Sequence, residues 1–141
     1  FTLGHTLSLF LSAFDILKPD SQIIEFLIPA TIILTCVYNV MNLKVNSNVF
    51  FEYTFSIIFG LIHGFGFGNY FEMLTDSLDT KIIPLFGFAF GVELSQLVVV
   101  LAILIVNTIL IKLKIINRIN YVKICSALII LLSLNLIYQM I

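Results

Sequence analysis

Apolar residues dominate this chain in five long runs, broken by short polar clusters. The runs cover residues 1–17, 22–43, 49–67, 82–112 and 122–141. A helix needs roughly 20 mainly apolar residues to cross a bilayer core. The first run is slightly short of that and the fourth exceeds it. The pattern predicts an all-α, polytopic transmembrane helix bundle, with five spans in one domain over residues 1–141. Lys18-Pro19-Asp20-Ser21 reads as a turn with Ser21 as the next helix's N-cap. Residues 44–48 and 112–123 read as loops. Residues 68–81 form the longest polar stretch, with Glu72, Asp76 and Asp79.

Composition supports the membrane reading. The chain is 60% hydrophobic and 11% charged, whereas soluble domains carry about 25% charged residues. The net charge of −1 says nothing about nucleic acid, but no basic patch is read as suited to phosphates, so no nucleic-acid partner is expected. Cys36 and Cys125 each lie within an apolar run without ligand spacing, so both read as small packing residues. The sequence opens on Phe1, already in apolar sequence and with no charged leader. That start leads to the expectation that a further N-terminal part precedes it.

Five spans place alternate loops on opposite sides. Lys44, Lys112, Lys114, Arg118 and Lys123 then share one side, which the positive-inside rule makes cytoplasmic. The 68–81 stretch falls outside and is acidic, so it would attract cations. On this topology Glu25 and His63 lie in the outer half, with Glu93 near the midplane. Together they are expected to line an outward-facing cavity.

Ionisable groups are costly at membrane depth and usually face a bundle interior or a polar path. His63 sits in Phe59-Gly60-Leu61-Ile62-His63-Gly64-Phe65-Gly66-Phe67-Gly68, the stretch around which the chain is organised. Gly60-xxx-Gly64 permits close helix contact. Gly64-x-Gly66-x-Gly68 is expected to form an exit from the helix. Glu93 and Gln96, at i and i+3, share one face, with Gly87-xxx-Gly91 just before them to allow close approach. In the first run Thr2, His5, Ser8, Ser12 and Asp15 fall on one helical face. The hydroxyls there suit either a polar path or bonds back to their own helix. Glu25 and Asn39 share a face of the second helix.

Imidazole and carboxylate together suit divalent first-row metals, and no thiolate is offered to a soft one. A structural zinc site usually has a sequence-local ligand pair, which is missing here. The expected metal-interacting residues are His5, His63, Glu93 and Glu25. Gln96, Asn39, Thr6 and Ser8 would be supporting polar groups. Gly60, Gly64, Gly87 and Gly91 would pack helices.

Four of the five runs, in order, carry motifs that resemble the HupE/UreJ family of bacterial membrane proteins. They are Phe1-Thr2-Leu3-Gly4-His5-Thr6-Leu7-Ser8-Leu9, the Glu25…Asn39 helix, the glycine-rich stretch around His63, and Gly91-Val92-Glu93-Leu94-Ser95-Gln96-Leu97. The usual pattern has Ser then Thr where this chain has Thr6 and Ser8, so a hydroxyl is kept at both. The resemblance implies a small inner-membrane permease or metal-binding accessory protein, tied to nickel supply for hydrogenase or urease. It also implies an earlier helix with further His and Asp residues, giving six spans in the full protein.

The functional expectation is a divalent-cation permease, with nickel favoured by the resemblance and zinc or cobalt as alternatives. It is a transporter rather than an enzyme. Its partners are the lipid bilayer and the metal ion, and a homo-oligomer is compatible. Two other readings stay open. One is an intramembrane metal-dependent hydrolase acting on lipid or peptide. The other is a non-catalytic scaffold whose polar groups only hold helices together.

Overall fold

A computed structural model describes residues 1–41, 49–75, 80–114 and 116–140. Among them the chain is helical, with no strands: α1 (Thr2–Ala13), α2 (Ser21–Met41), α3 (Val49–Thr75), α4 (Ile82–Lys112) and α5 (Arg118–Met140). Three of these, α2, α4 and α5, are long and apolar enough to cross a membrane, rather than the expected five. Helix α1 has 12 residues, about 18 Å of rise, short of a bilayer core. Helix α3 is long but carries polar residues throughout its length. Lys44, Asp76 and Asp79 lie outside the described residues.

Helix α1 stops before the expected end of its apolar run for a local reason. The Ile16 N–H donates to the Leu11 carbonyl at 2.9 Å, and the Asp15 N–H to Ser12 at 3.0 Å. This pair of bonds closes a helix around a left-handed residue. That residue is Asp15, at φ 59°, a conformation that aspartate tolerates better than most residues. The exposed Asp15 carboxylate is therefore a helix-end group.

Helix α3 runs the other way, eight residues beyond the expected end of its span (75 − 67). Its glycines do not form an exit. No glycine among the described residues has a positive φ, so they stay in line within the helix. Their purpose is contact. Gly4, His5, Ser8, Leu9, Ser12 and Ala13 form the buried face of α1, and α3 meets that face with Gly60, Gly64 and Gly68, spaced by four. A Cβ on Gly60 would strike the Phe1 carbonyl oxygen. On Gly64 it would strike Ser8 and the His5 carbonyl, and on Gly68 it would strike Ser12. Gly4 offers the same relief from α1 towards Ile57. These are the two helices whose backbones come together extensively among the described residues.

The backbone divides into two compact units, with the division falling at Pro29 in α2 and after Glu93 in α4. In the first unit, Leu9, Ala13, Phe71 and Leu85 form a buried apolar cluster, with Phe88 and Ala89 packed on it. Polar bonds fix the chain between α1 and α2. The start of α2 is capped by Asp20, not by Ser21: Asp20 Oδ1 accepts from the Gln22 N–H at 2.8 Å. Ser21 instead accepts from Asn69 on α3 at 2.7 Å. Lys18 pairs with Asp15 and, at 2.6 Å, with Glu72. Glu72 thus belongs to α3 and is paired, rather than lining a free acidic loop.

Among the described residues of the second unit, buried positions are few and small: Pro29, Thr31, Cys36, Ser126 and Ser133. Cys36 hydrogen-bonds with Ser126. Both cysteines are free, Cys36 buried and Cys125 partly so. Along α4, Leu97 to Leu101 and Ile103 to Val106 are exposed all round, as suits a helix solvated by acyl chains.

The glycine seam predicts opposite outcomes at two glycine pairs. Gly64→Val forces backbone apart and is expected to cost about 3 kcal/mol or more of stability. Gly87 and Gly91, expected to allow close approach, have open space where a Cβ would be. Gly91→Ala should therefore be neutral or stabilising by about 0.5 kcal/mol. Thermal unfolding of both variants in detergent measures the contrast. At the other end of α1, Asp15 and then Glu72, both bonded to Lys18, hold its ammonium above the ordinary lysine range. A raised value means the stabilisation is complete below the unfolded pKa and lost as pH rises through the folded one. Lys18→Met should lower the melting temperature slightly at neutral pH, with the difference fading as pH rises beyond the ordinary lysine range.

Candidate functional site

The site begins with a histidine that α1 has no freedom to expose. His5 lies one residue after Gly4, on the face that α3 approaches most closely, and is 1% exposed. Phe1, one helical turn earlier, stacks on its ring at 5.7 Å between centroids. Phe67 of α3 meets it edge-on at 5.5 Å. Aromatic walls exclude water without offering hydrogen bonds. Both His5 ring nitrogens are accordingly buried without a partner. An unsatisfied buried polar group costs about 1–3 kcal/mol, so this arrangement is retained against a stability gradient.

His63 stands on α3, partly buried. Its Nδ1 lies 2.8 Å from the Phe59 carbonyl oxygen, one turn back on its own helix. A carbonyl oxygen can only accept, so Nδ1 carries the hydrogen. That fixes the ring and leaves Nε2 with its lone pair free, which is how metal-binding imidazoles are commonly oriented. The edge of Phe1 also touches this ring, at 5.5 Å. Phe1 therefore contacts both imidazoles.

Glu93 completes the group from α4. Thr2 Oγ1 donates to Glu93 Oε2 at 2.9 Å, linking residues 91 apart in sequence. The other oxygen, Oε1, is buried with no partner. Glu93 and His63 both lie within electrostatic range of His5. The first unit thus gathers two imidazoles and a carboxylate, with unused ligand atoms on each. Among the described residues, however, no three His, Cys, Asp or Glu side chains come close enough together to hold a metal ion at once.

Other expected site residues fall elsewhere. Glu25 is exposed on α2 and Thr6 is exposed on α1. Ser8 is fully buried but donates to the Gly4 and His5 carbonyls of its own helix. Ser8 therefore takes the self-bonding alternative. Asn39 is exposed and Gln96 half-buried, both in the second unit. Sequence reasoning placed Thr2 on the polar face of α1 but gave it no part in the site. Its spacing from His5 marked the face, while its partner Glu93 is too distant in sequence for any pattern to reveal. Phe1 and Phe67 were missed as walls because aromatic residues are unremarkable in an apolar run.

A buried residue kept for its lone pairs behaves differently from one kept for packing. His5→Leu removes two unpaired polar atoms and keeps an apolar side chain of similar reach. It is expected to leave the melting temperature unchanged or raised, while any binding of divalent cations falls at least tenfold. A scaffold histidine would instead lose stability with no change in binding. Calorimetric binding and thermal unfolding on the same purified variant separate the two.

No curated protein and no solved structure matches the chain. A family model described as HupE / UreJ protein matches residues 1–140. That match spans both units and all five helices, including every residue of the site just described. The chain belongs to the HupE/UreJ family.

Proposed function

We propose that this protein is a bacterial inner-membrane permease for a divalent metal ion, nickel being favoured, or an accessory protein that binds the same cargo. The observation that carries the reading is the pair of buried, unpartnered ligand groups: the His5 ring and Glu93 Oε1. Neither helix packing nor a solvated surface accounts for polar atoms left bare in an apolar bundle. Nitrogen donors with a single carboxylate oxygen suit nickel, cobalt or zinc better than calcium or magnesium. The HupE/UreJ family is associated with nickel transport or accessory roles, which places nickel first.

The metal is cargo in this reading. Glu93, attractive for its charge, takes the ion first. His5 and the Nε2 of His63 supply neutral ligands that hold it without trapping it. A resident catalytic metal wants three protein ligands around one point, and no such group is found among the described residues, whereas an ion that is passed on needs fewer ligands at any one place. Thr2 holds the Glu93 carboxylate by one oxygen, leaving the other for the ion. Glu25, exposed on α2, serves as an outer attractor. We further propose that all five helices lie within the membrane. The 112–123 connection faces the cytoplasm and the 68–81 segment the opposite side.

The test is nickel uptake by full-length protein in liposomes. Glu93→Gln preserves size and the bond from Thr2 but removes the charge. It is expected to reduce uptake at least tenfold while expression and melting temperature hold. Unchanged uptake in Glu93→Gln removes the residue from the path, and a purely structural role for Glu93 would show as lost stability instead.

A further inference from the structure

The segment from Leu94 to Ile141 contains no Asp or Glu, yet it holds four of the chain's seven basic residues. All four fall within twelve positions: Lys112, Lys114, Arg118 and Lys123. They sit at the turn where α4 ends and α5 begins, within one compact unit. Each is exposed, and neither salt bridge found among the described residues involves any of them.

Helix stability explains only half of this cluster. Lys112, in the last turn of α4, and Lys114 just after it are favourable beside the negative end of that helix. Arg118 opens α5, where the helix dipole is positive and the first turn has no acidic residue. Its charge opposes the dipole there. Asn117 satisfies one backbone donor of that turn, its Oδ1 accepting from the Asn120 N–H at 2.8 Å. The start of α5 therefore presents a basic side chain and a helix N-terminus together, a combination that favours an anion. Apolar side chains are interleaved with the charges. Leu113 is 64% exposed, Ile124 52% and Ile119 39%. Both flanking helices are of membrane-crossing length and apolarity.

We infer that the α4–α5 turn is a binding site for the headgroups of anionic phospholipids. The phosphates engage Lys112, Lys114, Arg118 and Lys123, while Leu113, Ile119 and Ile124 rest against the glycerol and upper acyl region. A soluble anion would leave those apolar side chains in water, whereas a lipid covers them. Basic clusters directly beside a membrane helix attract anionic headgroups by charge, roughly fivefold per residue at low salt, and screening weakens the effect.

The experiment places full-length protein in nanodiscs of mixed phosphatidylglycerol and phosphatidylcholine. Quenching by brominated phosphatidylglycerol against brominated phosphatidylcholine reports which lipid sits at a fluorophore attached beside the turn. The wild type should prefer phosphatidylglycerol by about fivefold or more at low salt, falling towards parity at high salt. The variant with Lys112→Gln, Lys114→Gln, Arg118→Gln and Lys123→Gln should lose the preference, while Lys18→Gln with Lys81→Gln should keep it. If the quadruple variant inserts poorly, each single substitution should still lower the preference. Equal quenching by both lipids in the wild type overturns the site. So does an undiminished preference in the variants. Displacement of the lipid by millimolar inorganic phosphate would show a free-anion site instead, and high-affinity retention of RNA would show a nucleic-acid surface; either overturns the lipid assignment.

Discussion

The structure depends on the close approach of α1 and α3. Within the bundle water is scarce, and the apolar surface of neighbouring helices gives little net drive to associate if lipid can cover it equally well. Small residues remedy this by bringing backbones into contact. Gly4 on one helix and Gly60, Gly64 and Gly68 on the other leave no room for a single added carbon. The chemistry follows from that seam. His5 is buried because it lies beside Gly4 on the contacted face. Phe1 and Phe67, brought in by the same approach, close its sides.

The seam also explains why the site is strained in energy while the remainder of the unit is not. Elsewhere in the first unit, polar groups find partners. Ser21 bonds Asn69, Lys18 bonds Asp15 and Glu72, and Ser8 bonds its own helix. Only at His5 and Glu93 do buried side-chain atoms of this unit stay bare among the described residues. A stability-driven sequence would place a leucine at position 5. A histidine held there, beside a carboxylate that is tethered by one oxygen alone, is the arrangement on which the proposed cargo role rests.

Much of this was legible in the chain itself. Apolar runs gave five helices, and the rarity of ionisable groups within them pointed to His5, His63 and Glu93. The failures have identifiable causes. Hydropathy could not see the left-handed Asp15 that ends α1 early, because Asp15 lies at the edge of an apolar run. It read the 64–68 glycines as an exit, because glycine breaks helices in water, whereas here the packed partner offsets that cost. Gly87 and Gly91 have the same spacing as the seam glycines but open space beside them, so spacing alone does not identify a contact. The bond from Thr2 to Glu93 joins residues 91 apart in sequence and needed the fold to show it. Membership of the HupE/UreJ family was legible from motifs in four of the five apolar runs, those of α1 to α4.

The central claim is that the bare nitrogens of His5 and the free oxygen of Glu93 exist for a divalent cation. X-ray absorption at the nickel edge, on full-length protein loaded with nickel in lipid, reads the ligands directly. The account predicts imidazole scattering together with a light oxygen shell, and the imidazole signal weakened in His5→Leu. A nickel environment of oxygen alone, the same in wild type and His5→Leu, would contradict it.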